Sequence, residues 1–184
     1  MNVSRIIGLT GWSGSGKTTL LIKLIPLLVG RGLKVATLKH AHHAFDVDHP
    51  GKDSHEHRKA GASEVIVSSA RRWVQIHEVA DQPEATLAEL LGRLGPSDLV
   101  LVEGYKNQSH PKLEVFRQAV GRPPLHVTDS HIVAVASDQP FPAAGVPVLN
   151  LDDIEGIAET ILIHAEPLVS VLSRLHTAER DGSA

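Results

Sequence analysis

The sequence predicts an α/β fold: a predominantly parallel, twisted sheet flanked by helices, with a small β-hairpin and edge-strand extension. Three observations carry this. Short apolar runs that suit buried strands alternate with segments of helical periodicity, and residues 5–38 read as one strand–helix–strand unit. A glycine-rich turn joins the first strand to the first helix. A later apolar run, Leu99 to Val102, ends in Glu103 and Gly104, as a central strand does where it delivers a polar group to the sheet edge. At 184 residues the chain is expected to form a single nucleotide-binding domain over 1–184, with 39–61 as a functional loop and 165–184 as a C-terminal helix or tail.

Taken in order, Arg5 to Thr10 is a short apolar run bounded by glycine, a buried strand. From Gly16 to Val29, Leu20, Leu21, Leu24, Leu27 and Leu28 follow helical spacing. Pro26 falls inside and should bend that helix by removing a backbone donor; Gly30 and Gly32 mark its end. Leu33 to Leu38 reads as the second strand. Residues 39–61 break the pattern, being polar and rich in His and Asp, with a Pro50-Gly51 turn signal. Glu64 to Ser68 and Trp73 to His77 are close enough to pair as a hairpin. A helix fits Pro83 to Leu94, with proline near its first turn. Lys112 to Arg117 alternates like an edge strand. His131 to Ala136 and Val146 to Leu149 are the last two strands. Asp152 is placed to cap a final helix to about His164, with Pro167 interrupting or kinking it and Glu179 to Ala184 fraying.

Composition excludes several functions. The formal net charge of −3 and the lack of a long basic stretch leave no electrostatic footprint of a nucleic-acid binder. With no cysteine, disulfides and thiolate metal sites are ruled out. The apolar run near the N-terminus is too short to span a membrane and lacks a signal-peptide pattern, so a soluble cytoplasmic protein is expected.

The turn after the first strand, Gly11, Trp12, Ser13, Gly14, Ser15, Gly16, Lys17 and Thr18, fits G-x-x-x-x-G-K-[ST] at every fixed position and lies between strand and helix, the context this P-loop NTPase motif requires. Small residues let backbone N–H groups turn inward around phosphate oxygens, and the helix N-terminus adds partial positive charge. Lys17 is expected to reach the β- and γ-phosphates, Thr18 to ligate magnesium, and Thr19 to sit near the α-phosphate. Such a site needs a carboxylate at the end of a neighbouring buried strand. Glu103 meets that condition, whereas Asp98, at the entry end of the same strand, should lie on the wrong edge.

The His/Asp-rich stretch leaves the second strand on the same edge. Asp46, Asp48 and Asp53 suit water-mediated magnesium contacts, orientation of an attacking water, or substrate binding; Asp46 is assigned to catalysis and Asp48 to the metal. Lys39, Lys52 and Arg58 can balance phosphate charge. Six of the 12 histidines lie between His40 and His57, which permits a transition-metal site, although the spacing matches no recognised zinc pattern. Lys112 and Glu114 either line the cleft or form an edge-strand charge pair. Arg71, Arg72 and Trp73 either bind a partner or form a hairpin turn with a core tryptophan. Asp138 follows a strand and can accept hydrogen bonds from guanine N1 and N2, but without an Asn-Lys-x-Asp motif these residues do not choose between bases.

These motifs together, namely 11–20, Lys39 through Asp48, Pro50 through Ser54, Ala60 through Ala62, Arg72-Trp73 and Val102 through Lys106, resemble the molybdopterin-guanine dinucleotide biosynthesis protein B (MobB) family over about residues 3–164. The resemblance implies a GTP-binding, weakly hydrolysing homodimer that acts as an adapter beside a MobA-type guanylyltransferase when GMP is attached to molybdopterin, with GTP and Mg2+ as ligands and molybdopterin as cargo. It places the phosphate loop at Gly11 to Thr18 and the acidic partner at Glu103. No arginine finger is identifiable, so slow turnover is expected, that group alone being worth about 10³–10⁵ in rate. The rivals are a metal-delivery GTPase using the histidines, a small-molecule kinase on the same fold, and a binding module without turnover.

Overall fold

The structure, a computed structural model, describes residues 4–41, 45–141 and 144–180. They form two compact units, one of residues up to His40 and from Leu87 onward, the other from Ala41 to Thr86.

The first unit holds strands β1 (Arg5–Thr10), β2 (Val35–Lys39), and helix α1 (Lys17–Gly30) between them. The second unit holds α2 (Asp53–Lys59) and the strands β3 (Glu64–Ser68) and β4 (Trp73–His77). The chain then returns to the first unit with α3 (Leu87–Gly92), β5 (Leu99–Glu103), β6 (Lys112–Phe116), β7 (Ile132–Ser137), β8 (Val148–Asn150), α4 (Ile154–His164), β9 (Glu166–Pro167) and α5 (Leu168–Arg180). The sheet order is β2-β5-β1-β6-β7-β8, all parallel, with β9 antiparallel to the start of β1. This bears out the sequence-predicted class.

Strand alternation sorts the core onto two faces. Ile7 and Leu9 of β1, with Leu99 and Leu101 of β5, pack with Leu20, Leu24 and Leu28 of α1 and Ile157 and Ile161 of α4. Ile6, Val100 and Val102 face the other way and pack with Leu87 and Leu91 of α3 and Val171 and Leu175 of α5. β1 beyond Arg5 and the whole of β5 are buried, and they read as largely apolar runs because both of their faces are covered.

Several boundaries differ from the sequence expectation. β6 is no edge strand: it lies between β1 and β7 and all five residues are buried. Its charged residues mimic edge alternation because each is satisfied internally. Lys112 Nζ donates to the carbonyls of Lys106 and Gln108, both at 2.8 Å, and meets Asp129 Oδ2 at 2.7 Å. α3 begins at Leu87 rather than Pro83. Asp153, not Asp152, caps α4, its carboxylate accepting the Gly156 N–H at 3.0 Å. α1 continues through Pro26 to Gly30. Of the helix or tail expected over 165–184, the structure shows the helix: α5 follows the short strand β9 and runs to Arg180.

β5 and β6 flank β1, so the connection through 104–111 must cross one face of β1. Parallel strands usually need a crossover of a dozen or more residues, most often a helix. The shorter path works because Gly8 leaves room: a Cβ there would collide with the His110 ring. His110 is wholly buried, and among the described residues neither ring nitrogen has a hydrogen-bond partner. Burial, aided by the Lys112 ammonium, pushes its pKa down to about 3.

In the second unit, β3 and β4 form an antiparallel hairpin with Ser68 opposite Trp73. Trp73 is 67% exposed, so it is not the core tryptophan that one reading expected. The turn is closed by Ser69, whose hydroxyl accepts the Arg72 N–H at 3.2 Å and donates to the Arg72 carbonyl at 2.9 Å. Helix α2, absent from the sequence reading, carries Asp53 and Glu56 in its first turn and His57, Arg58 and Lys59 in its last, a charge order that complements the helix dipole.

His110 gives a pH prediction. In the unfolded chain it takes up a proton below about pH 6.5, whereas the folded protein resists until about 3, so the folded state loses stability as pH falls through that window. Thermal midpoints of the parent should therefore fall more steeply between pH 6.5 and 4 than those of His110→Leu. Parallel slopes would refute the assignment.

Candidate functional site

The site is built where β1 ends. Gly11 has φ 143°, and a Cβ on it would strike the Val115 carbonyl of β6; only glycine lets the chain leave the strand there. Gly16, at φ 96°, turns the chain into α1, and the Leu20 N–H bonds its carbonyl at 2.9 Å. Between them Trp12 closes a turn, its carbonyl accepting the Ser15 N–H at 3.1 Å, and Ser13 and Gly14 form the exposed crown. Thr19 is exposed in the first turn of α1.

Lys17 Nζ folds back over this turn, donating to the carbonyls of Gly11 at 2.8 Å and Trp12 at 3.0 Å. Burial pushes its pKa below the usual lysine range; Glu103 opposes the shift and Lys39 adds to it. The Thr10 and Ser15 hydroxyls are buried and have no hydrogen-bond partner among the described residues, polar capacity concentrated under the loop.

Glu103 lies where the sequence expected it. The parallel register sets it opposite Leu9 of β1 and Lys39 of β2, at the C-terminal edge. The Thr18 hydroxyl donates to Glu103 Oε1 at 2.9 Å, and Lys39 Nζ stands 3.2 Å from the same oxygen. A hydroxyl and a carboxylate oxygen in contact are the hard donors that a magnesium ion takes, and the nearby Lys39 ammonium marks a place that favours positive charge. Asp98 sits at the opposite edge as expected, accepting the Lys34 N–H at 2.8 Å.

The β6 side of the loop was not legible in the sequence. Trp12 Nε1 donates to the Pro123 carbonyl at 2.8 Å, and Lys106 and Arg122 place cations 5.0 and 5.5 Å from the indole centroid. The segment carrying Arg122 and Pro123 is anchored by the buried Glu114 carboxylate. It accepts the N–H groups of Leu125 at 2.7 Å and His126 at 2.9 Å and pairs with His126 Nδ1 at 2.7 Å. Lys112 and Glu114 therefore position loops and line no cleft. Arg117, just beyond β6, lies over Gly16, its Nε 3.2 Å from the point where a Cβ would stand.

Asp138 follows β7. Its Oδ1 accepts the Gln118 N–H at 2.9 Å. With Ser137, Phe141, Leu149 and Asn150 it lines a cavity of about 450 Å³, within the range of small-ligand sites.

The remaining candidates belong to the second unit. Arg58 grips both Asp46 oxygens, at 2.8 and 3.1 Å, Glu78 at 2.5 Å and Asp48 at 3.5 Å. Its hydrogen bonds hold the Asp46 carboxyl down at about 2. Asp48 also accepts from the Ser54 hydroxyl at 3.0 Å. Asp53 opens α2. His42 and His43 lie outside the described residues; among the described ones, no group of three or more His, Asp or Glu side chains is arranged to hold a metal ion.

Comparison with known proteins agrees with this arrangement. The family model described as molybdopterin guanine dinucleotide synthesis protein B matches residues 6–138. The chain is 46% identical over 160 residues to the molybdopterin-guanine dinucleotide biosynthesis adapter protein of Escherichia coli K12, covering 85% of this chain and 91% of that protein. The Haemophilus influenzae adapter protein is 39% identical over 165 residues, covering 85% of this chain and 86% of its own. A crystal structure of molybdopterin-guanine biosynthesis protein B superposes with a TM-score of 0.65 at 29% identity, over 85% of this chain and 97% of the other.

The close approach at Gly11 predicts that Gly11→Ala destabilises the fold by about 1–3 kcal/mol through strained backbone alone, and by more if the Val115 carbonyl cannot yield. Denaturant unfolding checks this; a variant as stable as the parent would show that the loop does not depend on this approach.

Proposed function

The chain belongs to the MobB family, and from that premise we propose that it is a GTP-binding adapter for the formation of molybdopterin guanine dinucleotide, with slow GTPase activity. The observation that carries the reading is the convergence of Lys17, Thr18 and Glu103 on a loop whose shape requires glycine at its two ends. In this reading the 13–18 backbone amides bind the phosphate chain. Lys17 leaves the Gly11 and Trp12 carbonyls to meet the β- and γ-phosphates. Thr18 and Glu103 would hold magnesium, which would supply positive charge against the phosphates. Lys39, beside Glu103, adds positive charge at the same end.

Guanine preference is assigned to the cavity beyond β7. Asp138 keeps one oxygen on the Gln118 N–H and has the other for the base, and Asn150 also lines the cavity. In the second unit, Asp46 and Asp48 take part in catalysis or metal binding only after releasing Arg58 and Ser54. The proposal extends to a single NTP-binding domain, a homodimer, molybdopterin as cargo, a MobA-type guanylyltransferase as partner and a cytoplasmic setting. No helix among the described residues is long and apolar enough to cross a membrane.

Two measurements test this reading. Lys17→Ala should lose most Mg-GTP binding by calorimetry; a variant that binds as tightly as the parent would remove the site assignment. Asp138→Asn should narrow the preference for GTP over ATP by about tenfold or more, since a site built to pair a donor group discriminates through that pair. An unchanged preference would move base recognition elsewhere.

A further inference from the structure

Arg117 has no role in the phosphate-loop motif, yet the fold brings it there. It follows directly on β6, the strand beside β1, and its guanidinium covers Gly16, with Nε 3.2 Å and one terminal nitrogen 3.7 Å from the point where a Cβ would stand. The side chain is half-buried. Among the described residues its guanidinium makes no hydrogen bond or ion pair, whereas Arg5, Arg31, Arg58 and Arg174 are all engaged with carbonyls or carboxylates. A partly desolvated arginine with its planar fork free, lying against the residue that opens a helix, suits an oxyanion.

Its place along the sheet says which oxyanion. Thr18 and Glu103 lie on the β5 side of the phosphate loop, and the Asp138 cavity lies beyond β7 on the other. β6 is between, and the Gln118 N–H, next to Arg117, is bonded to Asp138 Oδ1. β1 and β7 are two strand spacings apart, about 9.5 Å. A nucleotide with its γ-phosphate end at Thr18 and its base beside Asp138 therefore passes over the end of β6 with its α- and β-phosphates.

We propose that Arg117 binds the α- and β-phosphates of the nucleotide through its guanidinium; this rests on the assignment of the phosphate loop and cavity made above. Arg117 holds the part of the ligand that GTP and GDP share. It therefore contributes to the affinity of both, whereas a group that contacts only the γ-phosphate would contribute to GTP alone.

The test is calorimetric binding of Mg-GTP and GDP to the parent, Arg117→Ala and Arg117→Lys, with single-turnover hydrolysis of bound GTP. Loss of a charge-assisted pair predicts that Arg117→Ala weakens GTP and GDP alike, by about 10- to 100-fold. Lysine should restore part of the affinity through its charge. If GDP affinity is unchanged, the proposal is overturned. It is equally overturned if GTP alone weakens and hydrolysis slows, which would put Arg117 at the γ-phosphate. Should Arg117→Ala fail to fold, Arg117→Gln is read in the same way. A parent protein that binds no Mg-GTP sinks the functional assignment itself, whereas a binding parent with an unaffected variant sinks only the role of Arg117.

Discussion

The contact from the Thr18 hydroxyl to the Glu103 carboxylate is the constraint on which the site depends. It joins the first turn of α1 to the last residue of β5, and it exists only because β1 and β5 run parallel in a register that sets Leu9 opposite Glu103. The buried faces of those strands enforce that register. A slip of one residue would turn Ile6, Ile7 and Leu9 toward the wrong helices and carry Glu103 away from α1. Core packing and site chemistry are in this sense a single requirement, and Lys39, in register with Glu103 from the β2 side, completes it.

A second constraint lies on the β6 side. Two buried charges on one strand, Lys112 and Glu114, are fully engaged, and each fixes a loop instead of facing solvent. Lys112 gathers the 104–111 crossover and Glu114 gathers the segment at 122–126. Those loops bring Lys106, Arg122 and the Pro123 carbonyl to Trp12. Losing either partner would leave a charge buried and uncompensated, which costs far more than the pair itself contributes. The phosphate loop is thus held from both flanks, by an acid on one and by anchored, cation-bearing loops on the other.

The sequence showed most of the fold and the β5 flank of the site. The phosphate loop is a local pattern in which each residue type answers a backbone or charge requirement. Glu103 could be found because an apolar strand announces where it ends. β6 resembles an edge strand in sequence because the alternation of Lys112-Leu113-Glu114-Val115 looks the same whether its charges face water or buried partners; only the positions of Asp129, Gln108 and His126 distinguish the two. On an edge strand Arg117 would face solvent; on the interior strand β6 it sits at the end of a parallel strand beside the phosphate loop. Helix α2 carries no apolar periodicity in Asp53 through Lys59, only a charge order, which is a weaker signal. For α5, the apolar spacing of Val171 and Leu175 agrees with the helix offered over 165–184, and Pro167 lies in β9, ahead of that helix, rather than interrupting or kinking the preceding one.

The central claim is a polyphosphate chain bound by the amides of one turn next to a cation held by Thr18 and Glu103. A crystal structure with magnesium and a non-hydrolysable GTP analogue tests it most directly. The expected result places β-phosphate oxygens within hydrogen-bond distance of the 13–18 amides, Lys17 Nζ transferred from the Gly11 and Trp12 carbonyls to phosphate, and the Thr18 hydroxyl on the metal. Nucleotide bound elsewhere, or a Lys17 still on those two carbonyls with the ligand present, would contradict it.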